Sequence, residues 1–307
     1  LEITYGGGHR FQGTNGPFHG EGNVGCSACV DGGRCPVALP DLTLSEDLQF
    51  PTGDVVLPEG LKVFIVGSAR SGTSILFLAL HTVFRLSGPG ESHVFPIFAR
   101  IIHEFYTYRE NLIAKDIKNK RVLAYRLDTR AFRAHMINFL RAFYAQQFPR
   151  GTWLDKTPGA EAILAAPLIR AAFPASKIIA TKRTGVEVVR SFGAKFATGF
   201  EENCRAWTGC MGALQQTVER FPDILLIDQF DIANQPAEVA GRIAEYLEQP
   251  EKTSELGAFL RETEISRSST HSWQNRMTLA DVDWGAHGKE MFERLCGPTM
   301  HRFGYPL

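Results

Sequence analysis

The chain is short of the features that would place it in several common classes. No apolar run reaches the length of a membrane span, so no membrane partner is expected for these residues. Neither sign of charge is in excess. The 33 Lys+Arg balance 33 Asp+Glu, which leaves no global field to attract a polyanion, and nucleic acid is not an expected partner. No Asn heads an Asn-x-Ser/Thr sequon, and six cysteines in 307 residues are a low density. A cytoplasmic location is the expectation; the opposing one is the Golgi lumen with an anchor removed, where cysteines would pair. H-E-x-x-H is missing, as are repeats and low-complexity tracts. With 44% hydrophobic and 21% charged residues, what remains is a globular chain with a substantial core.

What is present centres on LKVFIVGSARSGTSILFLAL, residues 61–80. Leu61, Val63, Phe64, Ile65 and Val66 read as a buried strand that stops at Gly67. Small and polar residues fill 68–74, and Ile75, Leu76, Leu78 and Ala79 begin a helical apolar face. Strand, glycine-bearing turn and helix in that order aim backbone N–H groups and a helix dipole at one point, which suits a phosphate. The phosphate-binding loop of a kinase reads G-x-x-x-x-G-K-[ST]. Gly67 and Gly72 have that spacing, but Thr73 stands where the Lys belongs, and the cation is inside the loop at Arg70. No acidic cluster accompanies the loop, so a Mg²⁺-dependent small-molecule kinase is disfavoured and no metal is expected.

Further along, Lys177–Thr181 reads as a second buried strand, ending in Lys182 and Arg183, with a helix from about Gly185. Glu187, Ser191 and Lys195 fall four residues apart on one face of it. Arg183 and Ser191 together suit a dianionic phosphate, the guanidinium as a fork and the hydroxyl as a donor.

GSARSGTS closely resembles the P-[RK]-S-G-T-[ST] loop of sulfotransferases, enzymes that use 3′-phosphoadenosine-5′-phosphosulfate (PAPS). Arg183 followed by Ser191 resembles that family's 3′-phosphate signature, and FERLCGPTMHRFGYPL is similar to its usual ending. The resemblance runs from Leu61 to the C-terminus. It implies a P-loop-like α/β fold, with PAPS as co-substrate held by Arg70, Ser71, Gly72, Thr73, Ser74, Arg183, Ser191 and Lys195. Arg267, in ISRSSTHSWQNR, loosely resembles the late basic loop that closes over the nucleotide. Glu91, Ser92, His93, Val94, Phe95 and Pro96 are similar to the E-T-R-[IV]-[IV]-P segment of protein-tyrosine sulfotransferases, whose Glu is the general base. Glu91 takes that role by resemblance. His93 replaces the family's Arg, and because many cytosolic sulfotransferases use a His, it stays an alternative base. In an extended segment the two would point to the same side. TWLDKTPGA is similar to the N-K-D-P segment, which implies that Lys156 stabilises the transferring sulfonate while Arg70 neutralises the bridging oxygen. Asp155 stands where the family has Asn. His271 is a further base candidate, and Trp207 reads as core.

Two regions are expected: a Gly/Pro/Cys-rich arm over 1–60 and a sulfotransferase domain over 61–307. In the arm, His19, Cys26, Cys29 and Cys35 have the makings of a zinc site, but no second C-x-x-C follows, and reduced thiols or one local disulfide is the favoured reading. Strands near 61–66, 151–154, 177–181 and 223–227, with helices between them, predict a mostly parallel sheet flanked by helices on both faces. Helices over 131–146 and 202–220 are the clearest by period. The expected activity is sulfuryl transfer to a hydroxyl, with a small metabolite favoured over a protein tyrosine or a carbohydrate. A kinase and a non-catalytic nucleotide-binding module are the other classes. Oligomeric state is not legible.

Overall fold

The computed structural model describes residues 57–114, 123–263 and 275–307. In chain order, β1 (Lys62–Gly67) leads to α1 (Thr73–Val83), α2 (Val94–Ala114), α3 (Leu123–Arg126) and α4 (Thr129–Gln147). Then follow β2 (Trp153–Lys156), α5 (Ala160–Leu164), α6 (Ala166–Ala172), β3 (Lys177–Lys182), α7 (Gly185–Lys195) and α8 (Phe200–Arg220). The series ends with β4 (Leu225–Asp228), α9 (Gln229–Asn234), α10 (Pro236–Tyr246), α11 (Thr253–Glu262) and α12 (Gly285–Arg302).

The four strands form one parallel sheet in the order β2-β1-β3-β4. Every residue of β1 and β2 is buried, as a sheet covered on both faces requires. The period of two along each strand divides the core. Phe64, Val66, Trp153, Ile178 and Ala180 face one apolar cluster, with Phe95, Tyr144, Phe173 and Trp207. Val63, Ile65, Leu154 and Ile179 face the other, against Leu76 and Leu80 of α1, Val239 and Ile243 of α10, and Leu256 of α11. Each such side chain, fully buried, is worth roughly 1.5–3 kcal/mol. The expectation of helices on both faces of a parallel sheet is met.

Two boundaries differ from the sequence reading. Asp155 and Lys156, expected to turn out of the second strand, belong to it: they register with Phe64 and Ile65, and Thr157 N still donates to Ile65 O at 3.0 Å. The strand starts later than expected because Gly151 is in a left-handed turn (φ 71°), where a Cβ would lie 2.1 Å from Glu59 O. The helix expected over 131–146 begins at Thr129, since the Asp128 side chain caps it by accepting from Arg130 N at 2.8 Å.

Candidate active site

The carboxyl ends of β1, β2 and β3 lie side by side, and the expected site residues follow them directly. At the end of β1, Gly67 has φ 149° and is pressed against β3: a Cβ would come 2.3 Å from Thr181 Oγ1 and 2.5 Å from Thr181 O. The loop then turns back through Ser71, whose amide donates to Ser68 O at 3.2 Å. Ser71 is wholly buried, with its hydroxyl 2.6 Å from Thr181 Oγ1, so this side chain fixes the loop to β3. Gly72 is left-handed (φ 91°), and the first bond of α1 runs from Leu76 N to Gly72 O. The N–H groups of Thr73, Ser74 and Ile75 therefore have no helical acceptor. No acidic side chain occupies the first turn. This end of α1 offers unpaired amides and the positive end of a helix dipole, which suit an anion.

Arg70 crosses towards β3 and α7. Its backbone is left-handed (φ 66°), and its Nε donates to Ser191 Oγ at 2.9 Å. Arg183 is tied in beside it, NH1 donating to Arg70 O at 3.1 Å and Nε to Glu187 Oε2 at 3.0 Å. Burial, and then the neighbouring Arg183 charge, pull the Arg70 guanidinium below its ordinary pKa. A bound anion would offset this effect on Arg70. Trp207 is more than core filling, because its indole N–H donates to Arg183 O at 3.0 Å. Gly185 lies beneath it, where a Cβ would come a tight 3.0 Å from the indole ring. Lys195 is exposed at the end of α7, its Nζ 5.7 Å from the Phe196 ring centroid.

Lys156 brings the second half of the site to the loop. Its side chain is 7% exposed; Nζ donates to Glu91 Oε1 at 2.7 Å and to Ser74 Oγ at 3.4 Å. The other Glu91 oxygen is 3.4 Å from His93 Nε2. Burial raises the Glu91 carboxyl, but the Lys156 hydrogen bond and charge, with His93, outweigh it, and the pKa lies below the ordinary value. His93 is not extended as expected, having φ 54°, yet its side chain and that of Glu91 do meet.

Asp155, next along β2, points away from Lys156. It is 3% exposed, and its Oδ2 accepts from Ser92 Oγ and Tyr144 Oη, both at 2.6 Å, while Oδ1 accepts from Thr157 Oγ1 at 3.2 Å. Burial is the dominant influence and holds its pKa above the usual carboxylate value. Ser92, Tyr144 and Thr157 were missed in sequence. Reading Asp155 as a turn residue gave no sign that it needs buried partners.

The end of β4 adds a polar cluster that the sequence did not reveal. Asp228, 3% exposed, accepts from Lys182 Nζ at 2.7 Å, Tyr305 Oη at 2.9 Å and Arg276 NH1 at 3.0 Å. The Arg276 guanidinium lies 4.3 Å from the Phe230 ring centroid and 5.1 Å from that of Tyr305. Arg267, His271 and the arm residues His19, Cys26, Cys29 and Cys35 lie outside the described residues. Among the described residues no helix is long and apolar enough to cross a membrane.

Comparison with known proteins bears on this arrangement. No curated protein matches. Among solved structures, the chain is similar to the sulfotransferase domain of the Synechococcus PCC 7002 olefin synthase, at 18% identity and TM-score 0.51, over 85% of this chain and 100% of that one. It also matches the sulfotransferase domain from the curacin biosynthetic pathway (16% identity, TM-score 0.42, 63% and 75% covered). A third match is sulfotransferase STF9 from Mycobacterium avium (12%, 0.44, 81% and 78%). The olefin synthase domain shares the parallel α/β fold. The model of the sulfotransferase family matches residues 62–253, a span holding the β1 loop, Glu91, Lys156, Arg183 and Ser191, and the chain belongs to that family.

Proposed function

We propose that this protein transfers the sulfuryl group of PAPS to the hydroxyl of a small-molecule acceptor by in-line displacement. The observation that carries the reading is the chain of contacts Arg183–Arg70–Ser191 on one side of the loop and Ser74–Lys156–Glu91–His93 on the other. The first group suits a 3′-phosphate. The amides of Thr73 and Ser74, with Arg70, suit a 5′-phosphate, and its sulfuryl group would then fall towards Lys156. PAPS supplies an activated sulfuryl group with a stable diphosphate leaving group; the residues do the rest.

Glu91 is ionised at neutral pH and accepts the acceptor's proton as its oxygen attacks sulfur. Lys156 stabilises charge on the sulfonate oxygens, and Arg70 stabilises charge on the departing bridging oxygen. His93 steadies Glu91 from the solvent side. Thr73 at the kinase Lys position speaks against phosphoryl transfer. The test is incubation with PAPS and a panel of small alcohols and phenols, measuring sulfated product and 3′,5′-diphosphoadenosine with and without EDTA. Equal amounts of both products, insensitive to chelation, are expected. Phosphorylation of the same acceptors from ATP, restored by Mg²⁺, would overturn the reading.

A further inference from the structure

Asp155 and Lys156 at the end of β2, and Thr157 just after it, each hold one residue of the segment before α2. Lys156 holds the Glu91 carboxylate, Asp155 holds the Ser92 hydroxyl at 2.6 Å, and Thr157 Oγ1 accepts from His93 N at 3.3 Å. Asp155 is the anchor of the set. Its two oxygens accept three hydroxyl donors, one of them Tyr144 of α4, and at 3% exposure it has no access to an acceptor or a nucleotide. Ser92 transmits the hold, because its Oγ donates to Asp155 and accepts from Val94 N at 3.3 Å, joining strand, segment and first turn of α2. A 2.6 Å bond from hydroxyl to carboxylate has the length of a strong charge-assisted one. The segment benefits from such a hold: Glu91 is 46% exposed, and His93 sits in a left-handed conformation that costs a non-glycine residue free energy.

We infer that Asp155 is a positioning residue for sulfuryl transfer, acting through Ser92 to keep Glu91 against Lys156 and facing the acceptor. This rests on the proposed role of Glu91, and it goes beyond that role in placing the control of the base on a buried carboxylate behind the strand.

The test uses the full chain with Ser92→Ala, Ser92→Thr, Asp155→Asn and the double variant Ser92→Ala/Asp155→Asn. Single-turnover rates at saturating acceptor, affinity for diphosphoadenosine, and amide hydrogen exchange across residues 88–95 without ligand are measured. Displacing a reacting group by about 1 Å costs on the order of 10²-fold, so Ser92→Ala is expected to slow turnover roughly 10- to 100-fold. Diphosphoadenosine affinity stays within about twofold, because the loop is untouched, and Ser92→Thr restores most of the rate. If Asp155 acts through Ser92, the double variant is no slower than the slower single. Exchange in 88–95 rises in Ser92→Ala and Asp155→Asn. Additive losses, or unaltered rate and exchange in Ser92→Ala, overturn the inference. Should Asp155→Asn not fold, Ser92→Ala against Ser92→Thr decides alone. A wild-type protein that moves no sulfuryl group, with exchange still rising in the variants, sinks the proposed reaction but keeps the anchor; normal turnover with unchanged exchange does the reverse.

Discussion

Glu91→Gln separates the chemistry of the site from its architecture. The substitution keeps an oxygen to accept from Lys156 Nζ, now 2.7 Å from Glu91 Oε1, and removes one negative charge. Loss of the base should lower single-turnover rates by about 10²-fold or more. Nucleotide binding should move the other way. With Lys156 no longer offset, its charge acts fully on the anion; at about 8 Å and an effective dielectric constant of about 40, one charge is worth roughly 1 kcal/mol, or about fivefold in affinity. Diphosphoadenosine should therefore bind a few-fold tighter to the variant at low salt, and the gain should shrink as salt rises. Rapid quench and isothermal titration read the two effects. The pH profile adds a sign check. Because Glu91's pKa lies below the ordinary carboxylate value, the base stays ionised down to that lower pKa, so activity should have no acid limb of its own between pH 5 and 8. A limb in that window abolished by His93→Asn would transfer the role to His93. Weaker diphosphoadenosine binding alongside the slower rate would refute the electrostatic argument.

Arg183→Ala should weaken diphosphoadenosine far more than adenosine-5′-phosphosulfate, which lacks the 3′-phosphate; equal losses by titration would move the 3′-phosphate elsewhere. Asp228→Ala leaves Lys182 and Arg276 without their shared carboxylate and should cost about 3–5 kcal/mol in denaturant melts, the usual result of breaking a buried pair. Burial raises the Asp228 pKa, but Arg276 and Lys182 lower it by more, so its stabilisation is complete above the unfolded carboxylate value and disappears as pH falls through the lower folded one. The wild-type melting temperature should show that acid loss, and Asp228→Ala should show less of it. Gly67→Ala puts a Cβ 2.5 Å from the Thr181 carbonyl oxygen, and a fall of several degrees in Tm, or loss of soluble protein, is expected.

The half of the candidate site that follows β1 and β3 was legible because a local sequence pattern sets the geometry there. An apolar, partly β-branched run ended by Gly67 reads as a covered strand with a loop after it, and Arg183 leaves its strand in the same way. β2 was harder, because Asp155 and Lys156 are polar residues inside a buried strand and propensity alone puts them in a turn. Their burial depends on Ser92, Tyr144 and Glu91, partners brought in by strand order and helix packing, which no local window contains. Spacing put Lys195 on one helix face with Ser191, and the lysine is exposed at the end of α7.

Arg70 and His93 are both held at positive φ although neither is glycine. Each conformation costs on the order of 1–2 kcal/mol that glycine would not incur. Drift under selection for abundance alone should therefore favour glycine at both positions, and selection for turnover should eliminate it. Two mutational scans of one library, one read as protein level and the other as sulfated product, should rank Arg70→Gly and His93→Gly at opposite ends. Sites where the two rankings cross in this way would outline the active centre of a distant relative with no ligand in hand.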